Sequence, residues 1–537
     1  MPDDNTGDSR GAPDSSGSGA AVPRRFASCG PADPLLHFTI PAERRLPEIF
    51  RALSGGTAYA LAPKAMSGRT THLASLAAAL NRGGEMLALL VPLEAASSAD
   101  GHEEFKRLFC ARLREALDES RAGELRKAVF RDEAPDPRLF LKPVLSSLCS
   151  ALSRPLALFL DDLETLPNYF LLSLLHQFRD SWSGRSSYPF PRSFVLCGAG
   201  AARELAPPGP ESGLACPRPQ VSLPALPLEI PPFTREEAGW LLSEHTREGG
   251  RGYTAEAADE AMYWSGGSPA LLCALARTVD CEVLTGDPSQ EADGADFDRA
   301  AGLVLDRREA GLAGALRALE RDGTAGVFQA MILGEPGLPE GTSPEELRIA
   351  SEAGLLKLAD DECAPANPLV RDAASGALAE GLAFGMPHTV EHRLAEGREL
   401  DMSAVLKAFQ GYWQEKGSRL SPPFGMRKAL GHLALMAFLR KVIGQDGAVL
   451  REYGLGRGRL DLLVRFAGAV YPVGAVVKES EACMKESLLQ MSRYVDRCRA
   501  KTGWLVAFDP DPSEGWDRKL SWRSDKHEGR TIHVVGA

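Results

Sequence analysis

Short apolar runs alternate with helical segments over the first two hundred residues, and this alternation limits the fold more than any other feature. Residues 57–61 read as a strand, residues 63–70 (PKAMSGRT) as a loop, and residues 73–84 as a helix closed by glycine. Further apolar runs follow at 85–94, 154–166 and 192–200. Strands that alternate with helices predict a parallel α/β sheet. Residues 205–232 are too rich in proline for a helix and read as a loop.

The loop after the first strand agrees in part with the phosphate-binding pattern G-x-x-x-x-G-K-[ST]. In that pattern backbone N–H groups bind phosphate, the lysine reaches the β- and γ-phosphates, and the hydroxyl binds Mg²⁺. Gly68 and Thr70 match, but Pro63 stands at the first glycine and Arg69 at the lysine. A forked guanidinium is not equivalent to a compact ammonium. The sequence predicts an ATP site at Gly68, Arg69, Thr70 and Thr71, with Mg²⁺ at Thr70.

Two acids end the third apolar run, as a phosphate site of this kind requires. Asp161 is predicted to hold Mg²⁺ together with Thr70, and Asp162 stands where ATPases usually place the glutamate that orients the attacking water. The side chain of aspartate is shorter by one methylene. A misplacement on that scale can cost roughly 10²-fold in rate.

The last part of the chain carries a second set of spaced polar residues. Asp461 opens an apolar run, and Lys478 ends the next strand after a tight hairpin. Gln490 and Tyr494 lie four residues apart and therefore on one face of the following helix. Nucleases of the PD-(D/E)XK type use such an Asp, with an E-x-K on the neighbouring strand, to hold a divalent metal and align water. Asp461 is thus the predicted metal ligand. The other predicted catalytic residues of this site are Lys478, Gln490 and Tyr494.

The carboxylate position of the E-x-K motif holds Val476. By period-two alternation Glu479 points to the opposite face, so it replaces the missing ligand only through a bulge or a strand end. A glutamate at position 476 is expected to face a polar pocket with Gln490 and Tyr494 and to be tolerated. The sequence predicts a nuclease-like fold with little or no cleavage.

With these motifs the chain resembles a family of bacterial ATP-binding proteins that join an AAA/STAND-like ATPase to a PD-(D/E)XK domain. The resemblance runs from about Gly30 to Ala537 and is densest in FTREEAGWLLSEHT, REYGLGRGRLDLLV and MSRYVDRC…GWLVAFD…GRTIHVVG. Members carry an A-P-R-Q-T-G-K-T-T loop, a D-E pair, an arginine after the fourth strand, and V-I-E-L-K. This chain has KAMSGRTT, D-D, Gly200 with Arg203 three residues on, and GAVVK. The resemblance implies a degenerate member in which Arg203 contacts nucleotide, with a nucleotide-dependent homo-oligomer as one option.

The predicted fold class is multidomain α/β. It has a P-loop NTPase parallel sheet, a helical lid, a winged-helix-like module and a restriction-endonuclease-like α/β domain. The boundaries are a disordered tail at 1–30, an NTPase-like core at 31–230, a lid at 231–295, a winged-helix-like module at 296–385, a hinge at 386–400 and a nuclease-like domain at 401–537.

Charge and composition bear on partners and compartment. The formal net charge of −11 argues against a chain-wide coat of nucleic acid, yet basic residues cluster near the end and predict a local nucleic-acid surface. No apolar run approaches the roughly 18 residues of a membrane span, and the acidic N-terminus does not resemble a signal peptide, so the expected compartment is cytoplasmic. The cluster comprises Arg451, Arg457, Arg459, Arg465, Lys478, Lys485, Arg493, Arg497, Arg499 and Lys501.

Three hypotheses about function remain open from the sequence. The first is a nucleotide-responsive, DNA-associated regulatory or defence-type protein with two damaged sites. The second is an active ATPase or metal-dependent nuclease in which Arg69 or Glu479 compensates. The third is a regulator whose winged-helix-like module binds DNA.

Overall fold

The structure is a computed structural model. It describes residues 23–28, 30–61, 64–120, 122–123, 136–198, 225–287, 289–309, 311–320, 324, 327, 342–359, 362–383, 399–417, 427–443, 447–452, 459–478, 480–509, 511, 513–527 and 529–537. Arg203, Arg457 and Glu479 lie outside the described residues, and for Asp461, Arg451 and Arg459 only the backbone is described.

A parallel five-stranded sheet forms the N-terminal domain, as the alternation of strands and helices predicts. Its order is β2-β3-β4-β1-β5, and all of its strand pairs are parallel. Every residue of the acid-bearing third strand is buried, because separate apolar cores cover the two faces of the sheet. The strands are β1 (Ala58–Leu61), β2 (Leu87–Pro92), β3 (Leu156–Asp161), β4 (Ser193–Cys197) and β5 (Leu226–Leu228), and the helices are α1 (Ala42–Arg45), α2 (Pro47–Gly55), α3 (Arg69–Gly83), α4 (His102–Glu119), α5 (Leu141–Ala151) and α6 (Asn168–Ser183).

The fifth strand lies inside the proline-rich stretch that reads as loop from sequence. Proline lacks the N–H that a central strand needs, but an edge strand tolerates it. Pro227 pairs with Ala60 at the edge of the sheet, so the loop prediction is wrong for Leu226–Leu228.

A helical unit follows, and the predicted lid and winged-helix-like module share one apolar core within it. The predicted capping box opens the unit, because the Thr234 hydroxyl accepts from the Glu237 N–H and the Glu237 carboxylate accepts from the Thr234 N–H. Phe26, in the stretch predicted as tail, is buried in the same core. The elements are α7 (Arg235–Arg247), α8 (Ala255–Ser265), α9 (Pro269–Thr278), α10 (Gly294–Arg307), α11 (Leu312–Leu316), α12 (Pro344–Glu352), the predicted hairpin β6 (Leu356–Ala359) and β7 (Glu362–Pro365), and α13 (Pro368–Ala383).

The C-terminal domain is a mixed six-stranded sheet with helices on both faces. Its order is β12-β13-β11-β10-β9-β8, in which β10, β11 and β13 run parallel and the remaining pairs are antiparallel. The predicted tight hairpin turns at Ala467 and Gly468, both with positive φ. The elements are α14 (Met402–Lys416), α15 (Arg427–Ile443), β8 (Gly447–Glu452), β9 (Arg459–Phe466), β10 (Ala469–Val477), α16 (Glu481–Arg497), β11 (Thr502–Phe508), α17 (Trp516–Lys519), β12 (Trp522–His527) and β13 (Arg530–Gly536).

Helices α14 and α15 pack on one face of this sheet, and α16 packs on the other. Within the described residues, no helix is both long and apolar enough to cross a bilayer.

Candidate functional site

The loop between β1 and α3 turns tightly at a glycine that sequence singles out. Gly68 is the N-cap of α3 with φ of 71°, a left-handed conformation that side chains rarely adopt. A Cβ there would also lie 3.2 Å from the Cβ of Pro269. Any other residue at this position would meet both backbone strain and the first turn of α9.

Arg69 does not point into the loop, because three carboxylates hold its guanidinium. The Nε atom lies 3.1 Å from Asp161 Oδ1, Nη2 lies 2.8 Å from Asp162 Oδ1, and Nη1 lies 2.7 Å from Glu164 Oε1. The Arg69 side chain is only 15% exposed and that of Asp161 is fully buried. Burial disfavours the charged guanidinium, but the surrounding acids outweigh it and raise the pKa of Arg69. Both predicted acids thus serve as partners of the predicted arginine.

The two threonines of the loop have different partners. Thr70 Oγ1 donates a hydrogen bond to Asp161 Oδ2 at 2.7 Å, so these two predicted metal ligands are adjacent. Thr71 Oγ1 instead accepts from the backbone N–H of Ala32 at 3.0 Å. That contact ties the segment before α1 to the phosphate-loop helix.

Asp162 adopts a conformation that favours aspartate over glutamate at this position. Its φ of 61° and ψ of 32° are left-handed, a region in which Asp and Asn are several-fold enriched among non-glycine residues. Burial raises the pKa of Asp162 to about 6, and the nearby charge of Asp161 adds to this, while Arg69 offsets part of it. The Asp162 carboxyl, at the position of the general base, is therefore a weaker acid than usual and is already paired with the Arg69 guanidinium.

The helical unit touches the phosphate loop directly. The backbone N–H of Ala65 donates to the carbonyl of Glu352 at 2.9 Å, and the Ser268 hydroxyl donates to the carbonyl of Met66 at 2.7 Å. A Cβ at Gly354 would lie 3.0 Å from both the Ala65 oxygen and the Met66 methyl. The loop is thus braced by residues from α9 and from the end of α12.

A cavity of about 1010 Å³ opens between this loop and the helical unit. Ligand sites commonly have volumes of roughly 300 to 1,000 Å³, so the cavity is large enough for a nucleotide. Arg348 is satisfied by Glu345 and Glu352 of its own helix. The basic residues that line the cavity are Lys64, Arg69, Arg317 and Arg348.

A buried histidine that belongs to no recognised sequence motif links the loop to the helical unit. His72 Nδ1 lies 2.8 Å from the Gly68 carbonyl oxygen, and His72 Nε2 lies 2.5 Å from Arg45 Nη1. Arg45 also bonds Glu237 at 2.8 Å and the carbonyls of residues 231–232. Only a neutral ring with its proton on Nδ1 satisfies both partners. Burial lowers the pKa of His72 to about 4.

We expect the neutral state of His72 to make stability depend on pH. Its folded pKa of about 4 lies below the ordinary value of 6.5, so its contribution is complete above 6.5 and is lost as pH falls toward 4. The loss approaches about 3 kcal/mol, since one pKa unit corresponds to about 1.4 kcal/mol. Hydrogen exchange at the amides of α3 in wild type and His72→Asn between these pH values measures it as a local free energy of opening, and the variant should show a shallower fall.

The pH dependence that Asp162 contributes has the opposite sign to that of His72. Because its folded pKa is raised to about 6, its contribution to stability is lost as pH rises through that value. The contribution of Asp162 cancels when the free energy of the His72 variant is subtracted from that of wild type at each pH, because both proteins retain Asp162. His176→Asn, a partly exposed histidine on α6, is the control. A fall that is equally steep in all three proteins would contradict the assignment to His72.

The predicted nuclease-like residues are only partly brought together. In the register of β9 and β10, Asp461 lies opposite Gly474, and Val476 lies two positions further along β10. Lys478 Nζ bonds Asp509 Oδ2 at 3.0 Å, at the end of β11. Burial by itself would raise the pKa of Asp509, but the hydrogen bond from Lys478 keeps that pKa below its usual value.

The position of the missing carboxylate is apolar. Val476 is 3% exposed and packs in a core beneath α16 that includes Met491 and Leu505. Tyr494 belongs to the same core, whereas the Gln490 side chain donates to Glu486 on its own helix at 3.1 Å. The expectation that position 476 faces a polar pocket is therefore wrong, because the helix covers this part of the strand.

Two acids outside the predicted motifs also belong to these sites, namely Glu164 and Asp509. Glu164 lies three residues after the end of the fully buried strand β3, and Asp509 directly follows β11, which is buried except at Thr502. Because the carboxyl ends of parallel strands meet at one edge of a sheet, every acid after such a run was a candidate. That signal is present in LDDLE and in AFDP.

The parallel five-stranded sheet, with a loop after β1, acids at the end of β3 and β4 between these two strands, matches the P-loop NTPase fold. No family model matches the chain, and no curated protein matches it. Among solved structures it is similar to a Walker-type ATPase of Pyrococcus abyssi, with 16% identity, a TM-score of 0.45, and coverage of 65% of this chain and 99% of that one.

Two further solved structures are similar to this chain. The Holliday junction branch migration motor RuvB of Thermotoga maritima has 14% identity and a TM-score of 0.32, and covers 60% of this chain and 90% of its own. Cdc6p of Pyrobaculum aerophilum has 12% identity and a TM-score of 0.33, with coverage of 64% and 96%. With TM-scores below 0.5, these likenesses add nothing to what the strand order and the site establish.

Proposed function

We propose that this chain is a nucleotide-responsive protein of the AAA/STAND type that binds a nucleoside phosphate without turning it over. The observation that carries the proposal is the guanidinium of Arg69, which lies within 3.1 Å of Asp161, Asp162 and Glu164. The loop, the N-terminus of α3 and the adjoining cavity still offer backbone donors and basic groups to a phosphate. The acids that hydrolysis needs are engaged by Arg69. The regulatory or defence-type role that we propose rests on the resemblance of the sequence to the AAA/STAND-like family.

The base position supports the absence of hydrolysis. A general base must be free to orient or accept a proton from water. Asp162 Oδ1 instead accepts from Arg69 at 2.8 Å. Its short side chain and left-handed backbone keep the carboxylate against the guanidinium rather than over the cavity.

We expect wild type to bind fluorescent ATP with a Kd weaker than about 10 μM, because the lysine that grips the terminal phosphates is absent. Turnover should lie far below the roughly 1–10³ s⁻¹ common for enzymes. Arg69→Lys should bind more tightly. Fluorescence titration and phosphate release measure the two quantities, with Arg82→Lys as a control on the exposed side of the same helix.

Brisk hydrolysis that disappears in Thr70→Ala would favour the alternative, an active ATPase in which Arg69 compensates. Brisk hydrolysis that survives Thr70→Ala would show that the site lies elsewhere. A wild type that binds no nucleotide would refute the proposal.

For the C-terminal domain we propose a nuclease-like module that holds nucleic acid without cutting it. The mixed sheet with α16 between its parallel strands supports a PD-(D/E)XK-like arrangement, and the apolar surroundings of Val476 argue against a metal there. The alternative, cleavage with Glu479 as the second ligand, predicts nicking of plasmid DNA that both Asp461→Ala and Glu479→Ala abolish. Absence of nicking with Mg²⁺ or Mn²⁺ is the expected result.

A crevice of about 490 Å³ at the carboxyl ends of β10, β11 and β13 favours phosphate binding by this domain. Five cationic and two acidic side chains line it, so its charge is opposite to that of the whole chain. Only part of the predicted basic cluster contributes, because Arg465 and Arg497 line a separate cavity against the helical unit. The cations of the crevice are Lys478, Lys485, Arg518, Lys519 and Arg523.

We expect the full chain to bind duplex DNA without sequence preference and with affinity that falls steeply as salt rises. The triple variant Lys485→Gln/Arg518→Gln/Arg523→Gln should reduce the slope of log K against log salt by up to about 3, since each phosphate contact contributes about 0.9. Fluorescence anisotropy over a salt series measures it. An equal loss in a charge-matched triple variant on the N-terminal domain would contradict the crevice, and that control is Arg82→Gln/Arg107→Gln/Arg112→Gln.

A further inference from the structure

The position that the fold implies for Mg²⁺ does not suit a metal in this chain. Mg²⁺ requires near-octahedral oxygen ligands at about 2.0–2.1 Å. Both oxygens of Asp161 are already engaged, Oδ1 by Arg69 and by the N–H of Asp162, and Oδ2 by the hydroxyl of Thr70. Within the described part of the chain no three acidic, histidine or cysteine side chains converge as a metal site. The Thr70–Asp161 contact is compatible with a metal, whereas the guanidinium is not.

The three carboxylates spread around one flat cation instead of converging on a point. Asp161, Asp162 and Glu164 each face a different nitrogen of Arg69. A planar guanidinium offers N–H groups in several directions, while a metal ion needs its ligands around a single centre. The spacing of the acids therefore matches the group that is present.

Arg69 retains hydrogen-bonding capacity for a ligand. A guanidinium has five N–H donors, and one on each nitrogen faces a carboxylate. Among the described residues nothing engages the second N–H groups of Nη1 and Nη2, and Arg69 lines the cavity together with Lys64 and the first turn of α3. A phosphate at the N-terminus of α3 would thus meet a fixed positive charge where other P-loop proteins present a metal.

We propose that the Arg69 guanidinium, held by Asp161, Asp162 and Glu164, takes the place of Mg²⁺, so that this site binds metal-free nucleoside phosphates. The inference rests on the nucleotide binding proposed above. A divalent ion could enter only by displacing a partly buried guanidinium from three carboxylates, and that displacement would leave the cation without its partners. Mg²⁺ in solution instead competes by pairing with the phosphates of the free nucleotide.

Titration with N-methylanthraniloyl-ADP, in EDTA and in excess Mg²⁺, tests the inference. For wild type we expect a Kd in EDTA equal to or lower than that in Mg²⁺. In Arg69→Lys the compact ammonium cannot bridge three carboxylates, so Mg²⁺ should tighten binding by about tenfold or more. Arg82→Lys should behave as wild type, since Arg82 is 69% exposed at the far end of α3.

The outcomes separate the inference from the proposed function. Wild-type binding that tightens tenfold or more with Mg²⁺ would overturn the metal replacement by Arg69 and leave nucleotide binding in place. Absence of binding under both conditions would overturn both. Metal-independent binding in wild type together with Mg²⁺ dependence in Arg69→Lys would establish the replacement.

Discussion

Replacing Arg69 by alanine is expected to destabilise the N-terminal domain by about 3 kcal/mol or more, because loss of one partner of a buried ion pair typically costs about 3–5 kcal/mol. Asp161 is fully buried, so the substitution would leave its carboxylate without the cation that pairs with it. Global unfolding of a multidomain chain is not two-state. Hydrogen exchange at the amides of β3 and α3 therefore provides the measurement, as a local free energy of opening.

A second substitution, which removes the negative charge of Asp161, makes this test more specific. Asp161→Asn deletes the buried charge, so Arg69→Ala/Asp161→Asn should be more stable than the sum of the single effects predicts. Arg82→Ala, an exposed arginine on the same helix, should change stability by less than about 0.5 kcal/mol. Additive effects of the two single substitutions would mean that the ion pair is not what stabilises the acid cluster.

Replacing Val476 by glutamate is expected to destabilise the C-terminal domain by several kcal/mol, not to rebuild a metal site. The new carboxylate would lie among Met484, Met491 and Leu505 in a core from which water is excluded. Burial raises the pKa of a carboxyl group, so the loss should be smaller at low pH, where the side chain is neutral, and larger as pH rises. Hydrogen exchange at the amides of β10 and α16, followed across this pH range, measures the loss as a local free energy of opening.

Val476→Gln is the matched control, because it has the same shape and no charge. The pH-dependent difference between the glutamate and glutamine variants isolates the cost of burying the charge. Val470→Glu, on the same strand but 36% exposed, should be nearly neutral. If Val476→Glu were as stable as Val470→Glu and were further stabilised by Mg²⁺, the region under α16 would be polar after all.

The sequence predicts the elements of both domains well, because periodicity and breakers are local. The parallel sheet, the capping box at Thr234, and the hairpins at residues 356–365 and 459–477 all follow from such patterns. The surroundings of Val476 could not be predicted in this way. Alternation says which face of a strand a residue occupies, but not that a later helix will cover that face.

The behaviour of Arg69 shows a second limit. Its position in the motif predicts proximity to phosphate, whereas its actual direction depends on Glu164, which lies 95 residues away in sequence. The structural coupling through His72 and Arg45 has the same origin, since Glu237 follows Arg45 by 192 residues. Long-range charge pairing is set by tertiary packing, and a linear pattern contains little record of it.

The brace between the Ala65 N–H and the Glu352 carbonyl has a kinetic consequence. A phosphate can accept a hydrogen bond from this N–H only after the bond from Ala65 to the Glu352 carbonyl has broken. At high ligand concentration the observed association rate should then reach a ceiling fixed by that release, not rise in proportion to concentration. The rate at which the helical unit releases the loop would therefore limit how quickly the protein can respond to a change in nucleotide concentration.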